Sequence, residues 1–211
     1  MPRSLVLILA ALCLSGCGMV SSERPLFGQA DARGAPVMRS GLWALIEPGC
    51  RFNVRSPPAK WPDCAHVIDL RDGVATNAKA EDAGRFEGST TFLIAADDPA
   101  VVQALGPKDG SSRGAYVYFG LRPMAADADG MILRARVWPA MCAPQGAASA
   151  ARGKAKGPML LAGLVGGKSP QSNCLARAAA PVRNAVKLSE AGAFQGTPND
   201  TGREIHWIRD R

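Results

Sequence analysis

The chain has 211 residues, of which 47% are hydrophobic and 20% are charged. This length and composition suit one domain with a sizeable core and exclude an intrinsically disordered chain. The formal net charge of +7 favours anionic partners such as phospholipid. The sequence carries no nucleic-acid recognition motif, so we expect no nucleic-acid partner. Its 23 glycines and 16 prolines favour a turn-rich fold made mainly of strands.

The N-terminus has the pattern of an export signal. Met1-Pro2-Arg3 is a short basic start, and an unbroken apolar run follows from Leu5 to Leu12. A basic start, a short apolar stretch and small residues before a cleavage site are typical of secretory signals. The apolar run is too short for a transmembrane helix, which needs about 20 residues. We therefore predict that residues 1–16 are a signal peptide.

The next feature is Leu14-Ser15-Gly16-Cys17, which resembles the lipobox of bacterial lipoproteins. The resemblance implies that a diacylglycerol is joined to the sulfur of Cys17 and that the chain is cut before this residue. Two or more acyl chains anchor a protein stably, because each buried methylene contributes about 0.8 kcal/mol. Gly18 is not an inner-membrane retention residue in that class. The resemblance thus implies an outer-membrane anchor, with the protein facing the periplasm.

The segment after the predicted cleavage site has the composition of a flexible tether. Residues 17–39 are rich in glycine, proline and serine, and Phe27 is their only aromatic residue. We predict a lipidated tether over residues 17–39 and a single β-rich domain over residues 40–211. A flexible loop is expected within this domain at about residues 143–173.

Apolar and β-branched runs that stop at turn residues predict most of a sheet. These runs are Gly41–Ile46, Val67–Leu70, Thr90–Ala95, Val101–Leu105, Tyr116–Leu121, Met131–Trp138 and Glu204–Arg209. The clearest run begins at Tyr116 and is apolar on both faces. We expect it to form a hairpin with the run that begins at Met131, in which Arg134 and Arg136 share the solvated face.

One helix is predicted near the C-terminus. Four residues recur there at helical spacing, namely Val182, Ala185, Val186 and Ser189. Pro181 suits the first helical position, and Gly192 suits the position just past the end. The predicted fold class is α+β: a mostly antiparallel sheet, able to curl into a half-barrel, with one C-terminal helix and disulfide staples.

Four cysteines remain after removal of the signal and lipidation of Cys17, namely Cys50, Cys64, Cys142 and Cys174. An even number in an oxidising compartment indicates disulfides, and three pairings are possible. We favour Cys50–Cys64 and Cys142–Cys174, because each pair brackets a loop-like segment. In the chain-entropy model, each closure contributes about 3 kcal/mol or somewhat more.

Candidate catalytic groups are few. The two histidines, His66 and His206, do not stand at ligand spacing and no CxxC motif occurs, so we expect no metal and no other cofactor. His66 lies three residues before Asp69, and such a pair can act as a general base. An odd separation on a strand, however, places the two side chains on opposite faces. Nucleophile-elbow, phosphate-loop and dinucleotide motifs are also missing, so we do not expect an enzyme.

Two further sets of residues have a binding and an ordinary interpretation. A basic segment without acidic residues carries Arg152, Lys154, Lys156 and Lys168. It would contact anionic head groups or polysaccharide, at up to about 1 kcal/mol per charge, or it is a solvated loop. The four tryptophans line a sugar-binding groove or pack in the core; they are Trp43, Trp61, Trp138 and Trp207.

The segment Trp61-Pro62-Asp63-Cys64 resembles one found with paired cysteines in small uncharacterised lipoproteins of Gram-negative proteobacteria. That resemblance implies no particular activity. We expect a lipid-anchored envelope protein with a structural or binding role. One alternative is a carbohydrate- or lipid-binding module with a pocket lined by tryptophans. A second is an envelope hydrolase, which would need a histidine beside an acidic group and a nucleophile in a cleft.

Overall fold

The computed structural model describes residues 18–46, 49–78, 89–106, 114–143, 160–166, 173–193 and 202–210. Its strands, in chain order, are β1 (Val20–Ser22), β2 (Gly41–Ile46), β3 (Ala65–Arg71), β4 (Val74–Asn77), β5 (Ser89–Ala95), β6 (Ala100–Leu105), β7 (Tyr116–Ala126), β8 (Ile132–Pro139), β9 (Leu164–Val165), β10 (Cys174–Ala176) and β11 (Arg203–Arg209). The described part also contains a short 3-10 helix (Pro58–Lys60) and the helix α1 (Ala179–Ala193).

Eight of these strands form a closed antiparallel barrel. Strands β2 to β7 each pair with the next strand along the chain, and β11 closes the ring between β8 and β2. The predicted fold class is confirmed, although the sheet closes completely instead of stopping at a half-barrel. Closure satisfies the backbone groups that an open sheet leaves unpaired at its edges.

Alternation along the strands divides the side chains into an inner and an outer set. Trp43 of β2 lies opposite Ile68 of β3, and both belong to the apolar cluster inside the barrel. Their neighbours Ala44 and Val67 pack in a different cluster on the outside. The same alternation places Arg134 and Arg136 of β8 on the outer face, as the sequence predicted.

Helix α1 covers the outer surface of β7 and β8. Its buried face consists of Val182, Ala185, Val186, Ser189 and Ala193. The indole Nε1 of Trp138 donates a hydrogen bond to the main-chain oxygen of Val186 at 2.9 Å. The helix is confirmed, but it begins two residues before Pro181 and includes Gly192 in its last turn.

A second outer layer covers β2 and β3. It is formed by the segment between these strands, where Trp61 is 3% exposed and its ring lies 4.6 Å from that of Phe52. Both rings pack against Leu42 and Val67 on the outer barrel wall. The barrel is therefore covered on two sides. The cover over β2 and β3 contains one disulfide, and the helix lies beside the other.

The two predicted disulfides are present. Cys50 bonds to Cys64 with a Cα–Cα distance of 5.7 Å, and Cys142 bonds to Cys174 with a distance of 5.8 Å. Both distances are normal for a disulfide. The first closes the segment over β2 and β3, and the second joins the chain just after β8 to β10.

The predicted tether is wrong for residues 18–39. Strand β1 pairs with β7 and β10, and its three residues are at most 4% exposed. Phe27 is 3% exposed, and the side chain of Gln103 holds the neighbouring backbone through hydrogen bonds to Leu26 and Phe27. Residues 18–39 thus belong to the folded domain.

The loop predicted at residues 143–173 is only partly a loop. Strand β9 lies within it and pairs with β10. Its remaining parts, 144–159 and 167–172, lie outside the described residues, as do Arg152, Lys154, Lys156 and Lys168. Cys17 also lies outside them, so the structure does not test its lipidation.

Candidate site in the barrel interior

The two ends of the barrel are built differently. At one end, which we call the closed end, short turns join β3 to β4 at Asp72 and Gly73, β5 to β6 at 96–99 and β7 to β8 at 127–131. At the other end, which we call the mouth, the connections are longer: 47–64, 78–88, 106–115 and 140–202. The end of a barrel that carries its longer connections is a frequent location for binding sites.

A chain segment crosses the closed end and seals it. The main-chain N–H of Ile132 donates to the oxygen of Val37, and the N–H of Arg39 donates to the oxygen of Ile132. The guanidinium of Arg39 binds the carboxylate of Asp127 at 3.1 Å and lies 4.4 Å from the ring of Trp207. This end is consequently fixed by backbone, ionic and cation–π contacts.

The inner side chains nearest the closed end fill the barrel. They are at most 4% exposed, and they are Trp43, Leu70, Ala100, Leu121 and Ala135. Trp43 also donates from its indole Nε1 to the main-chain oxygen of Arg39 at 2.8 Å. These five side chains therefore form the buried core of this half of the interior.

The next layer of inner side chains toward the mouth is different, because every member is partly exposed. These residues are Ile68, Ala75, Phe92, Val102, Phe119, Val137 and Ile205. All are apolar, and each comes from a different strand. All of them except Phe119 pack against the filled layer nearer the closed end. Small eight-stranded barrels either fill their interior or hold one small ligand, and a ligand would contact such a partly exposed apolar layer.

Polar groups stand at the mouth. His66 of β3 and Arg203 of β11 occupy inner positions and are exposed, while Asn77 of β4 and Thr90 of β5 are half-buried. None of these four side chains is acidic. We call this apolar interior the chamber; an amphiphile, with an apolar part inside and a polar end beside these four residues, would match its described lining.

The catalytic pair considered in the sequence is not assembled. His66 lies on the inner face at the mouth, whereas Asp69 lies on the outer face at 4% exposure and binds Arg71 at 3.3 Å. His206 is on the outer face of β11, opposite Ala44 and Arg134. The strand alternation that argued against the pair is confirmed.

The tryptophans serve as core residues. Trp43, Trp61 and Trp138 are at most 3% exposed and belong to three separate clusters. Trp207 lies across from Trp43 and donates to the main-chain oxygen of Ser40. A sugar must stack on an accessible ring, so this placement does not favour a carbohydrate groove.

Ion pairs fasten the outer layer to the barrel. Arg122 of β7 binds the carboxylate of Glu190 on α1 and that of Asp98. The hydrogen bond to Glu190 is the largest cause that raises the pKa of Arg122, burial opposes it, and Asp98 adds to it. Arg183 of α1 binds Asp31 at 3.2 Å. These groups hold structure together at a distance from the chamber.

Among the described residues, no group of three or more His, Cys, Asp and Glu side chains could hold a metal ion. No helix in the described part of the chain has the length and hydropathy needed to span a bilayer.

The chamber and its mouth were missed by the sequence analysis, although most of the inner residues lie within or beside a predicted strand; Ala75 and Asn77 lie on β4, which was not predicted. Comparison with known protein families, with curated proteins and with solved structures gave no match.

Proposed function

We propose that this chain is an exported, lipid-anchored protein of the cell envelope that binds an amphiphile with a long apolar part. The apolar part occupies the chamber above Trp43, and the polar end lies at the mouth beside His66 and Arg203. The anchor is the acylated Cys17, which keeps the protein at the outer membrane on its periplasmic side. This is the lipid-binding form of the role expected from the sequence, and it involves no catalysis.

The observation that carries the binding role is the layer of seven apolar, partly exposed side chains inside a barrel whose other half is filled. Leaving such surface open to water costs roughly 25 cal/mol per Å². A domain of this size could fill the space with larger residues, as it does at Trp43 and Leu121. A chamber that is kept open is best explained by a ligand that occupies it.

The chamber is tested by filling it. We expect the mature chain beginning at Gly18 to bind a fluorescent fatty acid, and Ala75→Trp to weaken this binding at least about tenfold, because the indole takes up the ligand space. Thr76→Trp is the matched control, since Thr76 is the next residue of β4 and is exposed on the outer face. Equal binding by both variants, or none by the parent chain, would refute the proposed site.

The anchor is tested separately by Cys17→Ser. We expect this variant to be released from the membrane fraction or to remain unprocessed, because serine cannot carry the diacylglycerol thioether. Mass spectrometry of the parent protein should show a lipid-modified Cys17 at its N-terminus. Normal processing together with membrane retention of Cys17→Ser would contradict the anchor.

A further inference from the structure

Two basic side chains lie together on the outer face of the barrel, away from the chamber. Arg134 of β8 is directly opposite His206 of β11. Their chain neighbours Ala135 and Ile205 pack inside the barrel with Trp43. Alternation along a strand therefore points Arg134 and His206 outward. Directly opposite residues of an antiparallel pair have Cβ atoms about 5 Å apart, so one small ligand can contact both side chains.

The neighbouring arginines on this face are already paired with carboxylates. Arg136 lies opposite Glu204 and binds its carboxylate at 3.0 Å. Arg122, which lies opposite Arg136, binds the carboxylates of Glu190 and Asp98. These acidic groups therefore neutralise other cations on the same face of the sheet.

Arg134 and His206 differ from these arginines. Neither side chain forms a hydrogen bond or an ion pair with any residue in the described part of the chain. Arg134 is exposed and His206 is half-buried. Their other cross-strand neighbours are Ala125 and Ala44, whose side chains have no hydrogen-bonding group. The N–H donors of the guanidinium and the imidazole are thus available to water or to a ligand.

This set of donors fits an anion with three or more oxygen atoms. The planar guanidinium of an arginine binds two oxygens of a carboxylate or a phosphate group through parallel hydrogen bonds. A carboxylate has no further oxygen, whereas a phosphate group keeps at least one for the N–H of an adjacent imidazole. A phosphate group is therefore the anion that Arg134 and His206 can bind together with a separate oxygen for each donor.

We propose that Arg134 and His206 form a binding site for a phosphate group on the outer wall of the barrel. Arg134 supplies the positive charge and two hydrogen bonds, and His206 supplies a third. The site is independent of the chamber and of the anchor, because it lies on the outer face of β8 and β11 and needs no apolar ligand. A free phosphate ion and the phosphate of a lipid head group share this chemistry.

The site is tested by titrating inorganic phosphate into the isotope-labelled chain beginning at Gly18 and following its amide NMR signals. We expect the signals of Arg134 and His206 to shift. Arg134→Gln should weaken binding at least about fivefold, because glutamine has neither the charge nor the forked donors. Arg71→Gln is the matched control, since Arg71 is an exposed arginine that already binds Asp69 at 3.3 Å. Equal binding by Arg134→Gln and the parent chain, or none by the parent chain, would overturn the proposed site.

Glu204→Gln gives the opposite prediction. Glu204 lies two residues from His206 on the same face of β11 and holds Arg136 in an ion pair at 3.0 Å. Its replacement removes a negative charge beside the site and releases the guanidinium of Arg136. We expect Glu204→Gln to bind phosphate at least about twofold more tightly. Unchanged or weaker binding would contradict a site at Arg134 and His206.

The source of the phosphate group is identified with a second probe. Vesicles of neutral phospholipid are supplemented with phosphatidic acid, whose head group is a phosphate monoester, and sedimentation measures the bound fraction of each variant. Weaker binding of Arg134→Gln than of Arg71→Gln to these vesicles supports a lipid head group as the ligand. A difference with inorganic phosphate alone supports a free phosphate ion, and no difference with either probe refutes the site.

Discussion

The contact between Gly120 and Trp138 shows at the scale of single residues why this barrel accepts a helix on its outer wall. The indole of Trp138 lies directly on Gly120, where a Cβ atom would collide with three ring atoms. Glycine is needed here for close approach and not for an unusual backbone conformation. Because Gly120 has no side chain, the indole of Trp138 lies flat on β7, and its Nε1 reaches the main-chain oxygen of Val186.

We expect Gly120→Ala to lower the free energy of unfolding by about 1–3 kcal/mol, because the added methyl group overpacks the contact with Trp138. The measurement is urea denaturation of the mature chain. Gly28→Ala is the control, since no atom lies within 4 Å of a Cβ at that position; its effect should stay within about 0.5 kcal/mol. An equal effect of the two substitutions would contradict the packing argument.

The buried phenol of Tyr118 makes stability depend on alkaline pH. Burial is the largest cause that raises the pKa of Tyr118 above 10.0, and the hydrogen bond to Ser22 partly opposes it. Between the unfolded and the folded pKa, only the unfolded chain has lost the proton. Stability is therefore fully present below about pH 10 and falls as the pH rises above it.

We expect the free energy of unfolding to fall above about pH 10 and Tyr118→Phe to reduce this fall, because phenylalanine has no proton to lose. Urea denaturation at several alkaline pH values provides the measurement. A Tyr118→Phe variant that follows the parent curve would refute the linkage.

At the scale of elements, the disulfide between Cys142 and Cys174 holds the three-stranded extension of β1, β10 and β9 against the barrel. It joins the chain after β8 to β10, which pairs with β1. The N–H of Cys174 also lies within hydrogen-bonding distance of the oxygen of Met19 at 3.2 Å. One covalent bond thus supports both β10 and the residues that directly follow Cys17.

Replacing Cys142 and Cys174 with alanine should lower the free energy of unfolding by about 4 kcal/mol, and replacing Cys50 and Cys64 by about 3 kcal/mol, because the first pair closes the longer loop. Hydrogen exchange adds a spatial test. Amides of residues 19–22 should exchange faster only in the first variant. Unchanged exchange at these residues in both variants would show that β1 does not depend on the disulfide.

The sequence predicted the barrel strands better than it predicted their closure. Tyr116–Leu121 and Met131–Trp138 were identifiable because a hairpin is local and each run shows its own pattern. Strand β1 was missed because Val20-Ser21-Ser22 is short and its partner Cys174 lies about 150 residues away. The chamber was missed for a related reason: whether Val102 or Phe119 is covered depends on side chains from other strands.

At the scale of the whole molecule, the basic residues that contribute to the net charge of +7 would act on the same membrane surface as the proposed anchor. The basic segment leaves the described chain after Ala143, next to Cys142, which is bonded to Gly18. Its contact with anionic lipid remains a prediction. Such contact would hold the domain against the head groups around the anchor.

We expect replacement of Arg152, Lys154, Lys156 and Lys168 by glutamine to weaken binding of the mature chain beginning at Gly18 to vesicles that contain anionic phospholipid. Each charge near the surface contributes up to about 1 kcal/mol, and added salt should remove the difference. Sedimentation with vesicles measures the bound fraction of the chain. Neutral vesicles serve as the control, and a loss of the same size there would contradict an electrostatic role.

The pairing of residues 18–22 in the sheet limits how far the domain can move from its proposed lipid anchor. A flexible linker of about 20 residues would allow a domain to lie about 25 Å from its acyl chains. Here the first residue after Cys17 is already hydrogen-bonded to the domain. We therefore expect the proposed anchor to hold the domain at the bilayer surface. A periplasmic carrier that exchanges the bound amphiphile with it would have to come to that surface.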